Sequence, residues 1–586
     1  MSHYQRVVLY LIKPSKYDDD GYVIRHWKGV LPSNTLACLN GLSHDVQQRQ
    51  VLGKDLKWEI HTLDETVERV NVARITRQAK RKNTKTIIGL VGVQSNQFPR
   101  AADLAYQFKK ANVDVLIGGF HVSGTLATLS EIPPEIRALQ KAGISVVAGE
   151  IEGRWGAILQ DAMRDQLLPL YNFLHAPPEL TRAPMPAIPH RLLNKYAVKH
   201  YVTLDCGRGC PFNCSFCTVI NVQGRQMRFR SVQCVLDFLR QNYYENKITN
   251  YFFTDDNFSR NKNWGAIFDE MIQLREQEGI CLSFMLQVDT QSHRIPHFVE
   301  KAACAGASQV FIGMESLNEE NLKAAGKKQN RTSEYQTMIH HYHQAGIATH
   351  IAYIIGFPFD TEASVERDME RLQIELGAEQ ASFFMLTPLP GSMDYIRFLK
   401  DKIIVDADLN NFDSFHETFG HPRMQQGAWK KTYRQVWRSF YALKNMTRIL
   451  KQVKPEKYWA VFMNFVWYKN AIEVENGHPM IHGFFRLKHR RDRRPTWLLE
   501  SRLAYCWRRV KDIGGCVAGW IKLFFEMEAL WRATRPRINW LFRLETKLKR
   551  TVAWWDLLFV FRLLRAFSLY FQFTVSILKQ AMFRIK

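Results

Sequence analysis

The stretch Leu204-Asp-Cys-Gly-Arg-Gly-Cys-Pro-Phe-Asn-Cys-Ser-Phe-Cys217 places four of the chain's ten cysteines within twelve residues. Cys210, Cys214 and Cys217 form a C-x3-C-x2-C run directly after an apolar segment with strand character, Tyr201–Asp205. Three thiolates on one short loop can each hold one iron of a [4Fe–4S] cluster and leave the fourth iron open to an outside ligand. Gly207 and Gly209 let the backbone fold tightly around such a group. Structural zinc prefers four protein ligands, commonly in two pairs. No second pair lies nearby, although Cys206 could complete a set of four by counting alone. Cys206 reads instead as a strand-end residue. The start of the chain, MSHYQRVVLYLIKPSKYDDD, lacks a basic segment followed by a long apolar one, so no secretory signal is expected. In a reducing compartment, clustered thiols read as metal ligands rather than disulfides.

Outward from this loop the chain alternates short apolar runs with amphipathic stretches, the rhythm of an α/β protein. On the C-terminal side, strands are expected at Tyr251–Thr254, Leu282–Val288, Gln309–Met314, His350–Ile355 and Ala381–Leu386, with helices such as Val235–Tyr244 and Ala363–Leu376 between them. Six βα units from residue 199 to 400 are too few for a complete eight-fold barrel and suit a partial one. On the N-terminal side, Val7–Ile12, Thr86–Val93, Val113–Ile117 and Ser145–Ala148 are expected strands of a doubly wound parallel sheet over residues 1–165. Residues 166–198, with HAPPELTRAPMPAIPHR, read as a Pro-rich extended linker. Beyond residue 400 the pattern turns helical.

The segment CPFNCSFC, with an aromatic before its last Cys, resembles the cluster loop of the radical S-adenosylmethionine superfamily. The resemblance continues in order through GRQMRFRS (224–231), FFTDDNF (252–258), IGMESLNEENLKAAGKKQN (312–330), IIGFPFDT (354–361) and LTPLPGS (386–392). It implies a partial (β/α)6 barrel with the cluster at its C-terminal mouth, S-adenosylmethionine on the open iron, and a 5′-deoxyadenosyl radical that abstracts hydrogen from an unactivated carbon. By the same resemblance Glu315 and Ser316 would meet the cofactor's ribose and amino-acid groups, and Gln287 could reach the same place. Phe216 would set a carbonyl near its adenine, and Gly356 would let backbone approach the adenine. Asp255 and Asp256 could be substrate-side acids, polar lining, or a helix cap.

VLIGGFHVSG (115–124) runs a strand into paired glycines, which is where open α/β sheets bind ligands. Together with GVQSNQF (92–98), AGEIEG (148–153) and the opening residues 13–42, it resembles the cobalamin-binding domain that precedes many radical enzymes of the superfamily. Ser95, Gly118, Gly119, His121, Gly149 and Glu150 are the residues this implies for a cobalamin site. The D-x-H-x-x-G motif that supplies a lower cobalt ligand is absent. His121 is therefore expected to line the pocket rather than to bind cobalt. A degenerate domain that binds nothing is the alternative.

The formal net charge of +24 is unevenly spread: residues 421–586 carry 34 Lys and Arg against 10 Asp and Glu, and 11 of the 15 Trp. Residues 401–586 are thus a basic, aromatic, helical region whose clusters, RLKHRRDRRPTW (486–497) and RPRINWLFRLETKLKR (535–550), imply a polyanionic partner. Its last stretch from Thr551 is apolar, but the longest uncharged window, Ala566–Leu578, is too short to span a bilayer. A helix lying in the membrane interface fits better than one contacting nucleic acid; a helical cap docked on the barrel is the plainer alternative. The expectation is a cytoplasmic enzyme peripheral to the inner face of the membrane. It would use a [4Fe–4S] cluster, S-adenosylmethionine and cobalamin to transfer methyl groups to a small-molecule or lipid-like substrate, with a reductant such as ferredoxin or flavodoxin. Radical cyclisation or oxidation without methyl transfer, and a non-catalytic iron–sulfur module, stay open at this point.

Overall fold

The computed structural model describes residues 4–198 and 201–535. Two six-stranded parallel sheets form its frame. The front sheet comprises β1 (Arg6–Lys13), β2 (Lys57–Asp64), β3 (Thr84–Leu90), β4 (Asp114–Gly118), β5 (Ser145–Ala148) and β6 (Leu170–Asn172), in the order β2-β1-β3-β4-β5-β6. Runs such as Val7-Val-Leu-Tyr-Leu-Ile12 are buried on both faces, as a parallel sheet covered by helices demands. The order reverses between β1 and β3, and that switch point opens a crevice beyond their carboxyl ends.

The front sheet extends past residue 165. β6 pairs with β5 at Val146–Leu170 and Ala148–Asn172, so the stretch read as linker contributes an edge strand between Pro169 and the proline run that starts at Pro177. β2 also went unread, because Lys57, Glu59 and His61 break its apolar pattern at the opposite edge.

The second sheet comprises β7 (Tyr201–Leu204), β8 (Asn250–Phe253), β9 (Ser283–Val288), β10 (Ala307–Glu315), β11 (Ala348–Ile355) and β12 (Gln380–Met385), paired in chain order. It is the expected partial barrel, each strand within two residues of its sequence reading. The core on its outer face continues without a break into the following helices, through Trp429, Trp437, Phe440, Tyr441, Phe465 and Leu523. Tyr441 Oη donates to the Ala381 carbonyl at 2.6 Å and Tyr433 Oη to that of Phe383 at 3.0 Å. The described part of the C-terminal region is therefore a cap docked on the barrel's sixth strand, the plainer of the readings above.

The first basic cluster is not a free polyanion-binding surface. Phe484–Arg486 pairs antiparallel with His26–Lys28, and Arg486 and Lys488 form ion pairs with Asp18 at 2.8 and 3.4 Å. Arg494 pairs with Asp408, and Asp492 binds Arg25 and Arg69. The cationic run clasps the acidic opening loop of the front domain, and Arg486, Lys488, Arg493 and Arg494 of it are paired with carboxylates of the chain. The stretch from residue 536 onward, including the apolar segment after Thr551, lies outside the described residues.

Candidate functional site

The cluster loop leaves β7 through the buried Asp205 and Cys206. Gly207–Arg208 forms a two-residue ladder with Arg228–Phe229. Gly209 has φ +94°, and a Cβ there would sit 3.0 Å from the carbonyls of Gln226 and Gly224, so the loop turns back at glycine of necessity. Cys210 N–H donates to Gly224 O at 3.2 Å and Ser215 N–H to Ala325 O at 2.9 Å, pinning the loop at two points.

Burial pushes the thiols of Cys210 and Cys217 up to about 11 and about 12, and the charge of Cys214 adds to both. Cys214 is raised by burial as well. Three thiols that share one desolvated region are poor anions alone and become thiolates when a cationic group binds. Cys206 stands apart: its environment is set by burial, Asp255, Asp205 and Arg230, and it packs in the barrel core. A mononuclear zinc gathers its ligands round one ion. Among the described residues no three Cys, His, Asp or Glu side chains do so. Three cysteines on one loop are the number that a cube with one open iron takes.

Around the loop stand the residues expected for S-adenosylmethionine. Glu315 ends β10 with φ +68°, next to a register shift, and accepts from the buried Lys327 Nζ at 2.5 Å. Lys327 also donates to Gly313 O at 2.8 Å and lies 5.8 Å from the centre of the Phe216 ring. Phe216 makes an edge contact with Phe357. Ser316 is buried and caps locally, its Oγ accepting from Asn318 N–H at 3.1 Å. Gln287 Nε2 donates to Asp255 O at 3.0 Å. Gly356 has φ +110°, and a Cβ there would lie 2.1 Å from the indole of Trp429.

Asp255 and Asp256 do not cap a helix. The 3₁₀ turn that follows begins at Asn257 without a side-chain cap bond. Asp255 Oδ2 accepts from Cys206 N–H at 2.7 Å, and burial pushes its carboxyl up to about 8. Burial likewise pushes Asp256 up to about 7.

The residues expected for cobalamin divide into two groups. Gly118, Gly119, Gly149 and Glu150 line a cavity of about 270 Å³ at the switch point of the front sheet, with Gly89 and Gly92 beside them. The same cavity is lined by Asp205, Gly207, Arg208 and Asp256 from the mouth of the barrel. Ser95 and His121 lie outside that lining: Ser95 Oγ is 3.2 Å from His121 Nδ1, and the imidazole packs 4.2 Å from the Phe98 ring centre. Burial holds His121 down at about 3, so it is a neutral core histidine. Gly119, at φ +146°, would drive a Cβ to 2.1 Å from the Val93 nitrogen.

Sequence reading missed Arg208, the centre of the junction. Its guanidinium binds Glu150 at 2.8 Å, Glu152 at 2.7 Å and Asp205 at 2.9 Å, and Arg228 binds Glu150 from the other side at 2.5 Å. Burial works against the Glu150 carboxylate, but Arg228 and Arg208 outweigh it and hold its pKa below the usual value. An arginine between two loop glycines was the available signal. Lys327 and Gln329, in the GKKQN stretch behind the loop, were missed as well.

The model of the radical SAM superfamily matches residues 204–372, the span from the cluster loop into the helix after β11. Bacteriochlorophyllide d C-12(1)-methyltransferase of Chlorobaculum tepidum is 30% identical over 340 residues, covering 56% of this chain and 69% of the relative. The chain belongs to the radical S-adenosylmethionine superfamily. Bacteriochlorophyllide d C-8(2)-methyltransferase of the same organism is 25% identical over 346 residues, covering 56% and 72%. Among solved structures, the apo form of the cobalamin-dependent S-adenosylmethionine radical enzyme OxsB has the same fold, with a TM-score of 0.52 and 14% identity over 91% of this chain and 84% of that one. As a radical S-adenosylmethionine enzyme, the protein uses a [4Fe–4S] cluster and S-adenosylmethionine, and the matched span begins at the loop that carries Cys210, Cys214 and Cys217.

Proposed function

We propose that this radical S-adenosylmethionine enzyme is a cobalamin-dependent methyltransferase acting on an unactivated carbon of a lipid-like, membrane-associated substrate. One observation carries the reading: a single cavity is lined by strand-end glycines of the front sheet and by Gly207, Arg208 and Asp256 of the barrel mouth. The names of the two curated relatives, both bacteriochlorophyllide d methyltransferases, support the reaction class.

The bound groups would supply an electron, a carbon-centred radical and a methyl group. The chain's own residues do the rest. Cys210, Cys214 and Cys217 hold the cluster. Glu315, Gln287 and the Phe216 backbone orient S-adenosylmethionine beside it. Gly89, Gly92, Gly118, Gly119 and Gly149 give a flat macrocycle a backbone surface with few side chains in its way, and Glu150 is fixed by Arg208 and Arg228 at its rim. Asp256, raised by burial, is placed to hold a proton on the cavity wall. The cavity brings the strand-end glycines of the front sheet against Gly207, Arg208 and Asp256, and a bound substrate would complete its closure to water. A low-potential reductant such as ferredoxin or flavodoxin would deliver the electron.

The test is anaerobic incubation of the reconstituted protein with S-adenosylmethionine labelled in its methyl group and an apolar extract. Label in cobalamin and in an extracted product supports the reading. Formation of 5′-deoxyadenosine with no transfer of label would point to radical cyclisation or oxidation and would overturn it.

A further inference from the structure

The 33-residue helix Arg502–Thr534 has two apolar faces, and only one of them is buried. Leu523, Met527, Leu530 and Thr534 pack inward. On the opposite side Leu503 is 83% exposed, Trp507 64% and Phe525 64%, with Val510 and Ile521 also exposed. These five stand at i, i+4, i+7, i+18 and i+22, and the exposed Gly514 and Ala518 fill i+11 and i+15. At about 100° per residue they share an arc of about 80°, in a straight stripe about 33 Å long. A helix on a protein surface ordinarily turns polar residues outward, so an uninterrupted apolar stripe marks a contact surface. Leu498, 89% exposed, and Leu499 extend it past the helix start.

The charges around the stripe identify its partner. The Lys522 side chain is 77% exposed, 3.7 Å from Glu473, that of Arg532 is 73% exposed beside Glu528, and Lys511 lies over the Trp507 ring. Every carboxylate of the helix is tied to a cation: Asp512 to Lys488 and Arg509, Glu526 to Lys469, and Glu528 to Arg532. A second copy of the chain would bring the same cationic rim against this one. The chain beyond residue 535, with ten Lys and Arg against two Asp and Glu, would also bring like charge. No helix among the described residues is long and apolar enough to cross a membrane.

We infer that the Leu503–Phe525 stripe is the surface on which the enzyme lies against a bilayer, its aromatic and aliphatic side chains in the interface and Lys511, Lys522 and Arg532 on anionic headgroups. The inference deepens the reading of a membrane-associated substrate and rests on it for purpose, while its geometry is independent of the chemistry.

The experiment is flotation of the full chain with vesicles of phosphatidylcholine alone or mixed with phosphatidylglycerol. The expected result is binding to the anionic vesicles that falls on the order of tenfold or more in Trp507→Glu/Phe525→Glu and clearly, though less, in Trp507→Ala/Phe525→Ala. Both substitutions lie on the exposed face and should leave the circular dichroism spectrum and 5′-deoxyadenosine formation unchanged. Undiminished binding by both variants, or no binding by the parent chain, overturns the inference. So does a dimer seen in sedimentation velocity that the variants abolish. Loss of vesicle binding beside intact cofactor cleavage tests the surface alone; failure of methyl transfer beside intact vesicle binding overturns the reaction assignment alone.

Discussion

The side-chain amide of Gln329 lies 3.7 Å from the sulfur of Cys214, donating Nε2–H to a thiol proposed above as a cluster ligand. Its own loop is held firmly. Gly326, at φ +68°, packs so close to Asn213 O that a Cβ would lie 2.7 Å from it, and Gln329 O accepts from Gln291 Nε2 at 2.7 Å. A hydrogen bond to a cluster sulfur draws off negative charge and raises the reduction potential. Gln329→Leu should therefore keep its iron and sulfide but show a more negative midpoint potential in a redox titration followed by electron paramagnetic resonance. An unchanged potential would leave the amide a purely structural role.

Arg208 pairs with Glu150, Glu152 and Asp205 at once, and Glu152 and Asp205 are buried at the junction of the two sheets. Arg208→Ala takes the counter-charge from Glu152, while Glu150 keeps Arg228 and Asp205 keeps Arg230, at a cost of about 3–5 kcal/mol. Thermal unfolding should show this as a large fall in Tm, with Arg208→Lys recovering part of it. A drop no greater than that of an exposed arginine such as Arg371 would show that the junction does not depend on the pair.

Gly356→Ala should be among the most destabilising single-methyl additions in the barrel. The new Cβ would collide with Trp429, and the backbone is held at φ +110°. Denaturant unfolding should register about 2–4 kcal/mol. Gly356→Ala combined with Trp429→Leu should recover the steric part of that loss but not the backbone part.

His416 gives stability a pH dependence. Burial alone would depress it, but hydrogen bonds to Asp19 and Asp413 outweigh burial and push it up to about 9. Nδ1 stands 2.9 Å from Asp413 and Nε2 3.3 Å from Asp19. Because the folded value lies above the unfolded value of about 6.5, the stabilisation is complete below that pH and is lost as pH rises through about 9. His416→Gln should therefore cost about 1–2 kcal/mol at pH 6, an amount reduced by the exposure of Asp19, and little at pH 10. Equal losses at both pH values would contradict the ion pair.

The barrel was readable because each strand is a short apolar run bounded by turn residues, as in Ala307–Glu315, and because its cluster loop is local in sequence. The edges of the front sheet were not: β2 carries charges on its exposed face, and β6 is three residues long beside a run of prolines. Of the cavity lining, the strand-end glycines Gly118, Gly119 and Gly149 were legible. Arg208 was not, since its partners Glu150 and Glu152 lie more than fifty residues away and an isolated arginine carries no periodic signal. The basic run at 486–497 misled for the same reason. Asp18, which answers it, is 468 residues from Arg486, so the charge looked unbalanced until the fold brought the two together.

The joint cavity is tested most directly by the cofactor content of anaerobically purified protein after reconstitution with iron, sulfide and hydroxocobalamin and removal of excess. The expected result is one four-iron cluster and one corrinoid per chain, with the corrinoid lost and the cluster kept when Gly119 is replaced by a bulky residue. A full cluster beside no corrinoid in the parent protein would contradict the shared site.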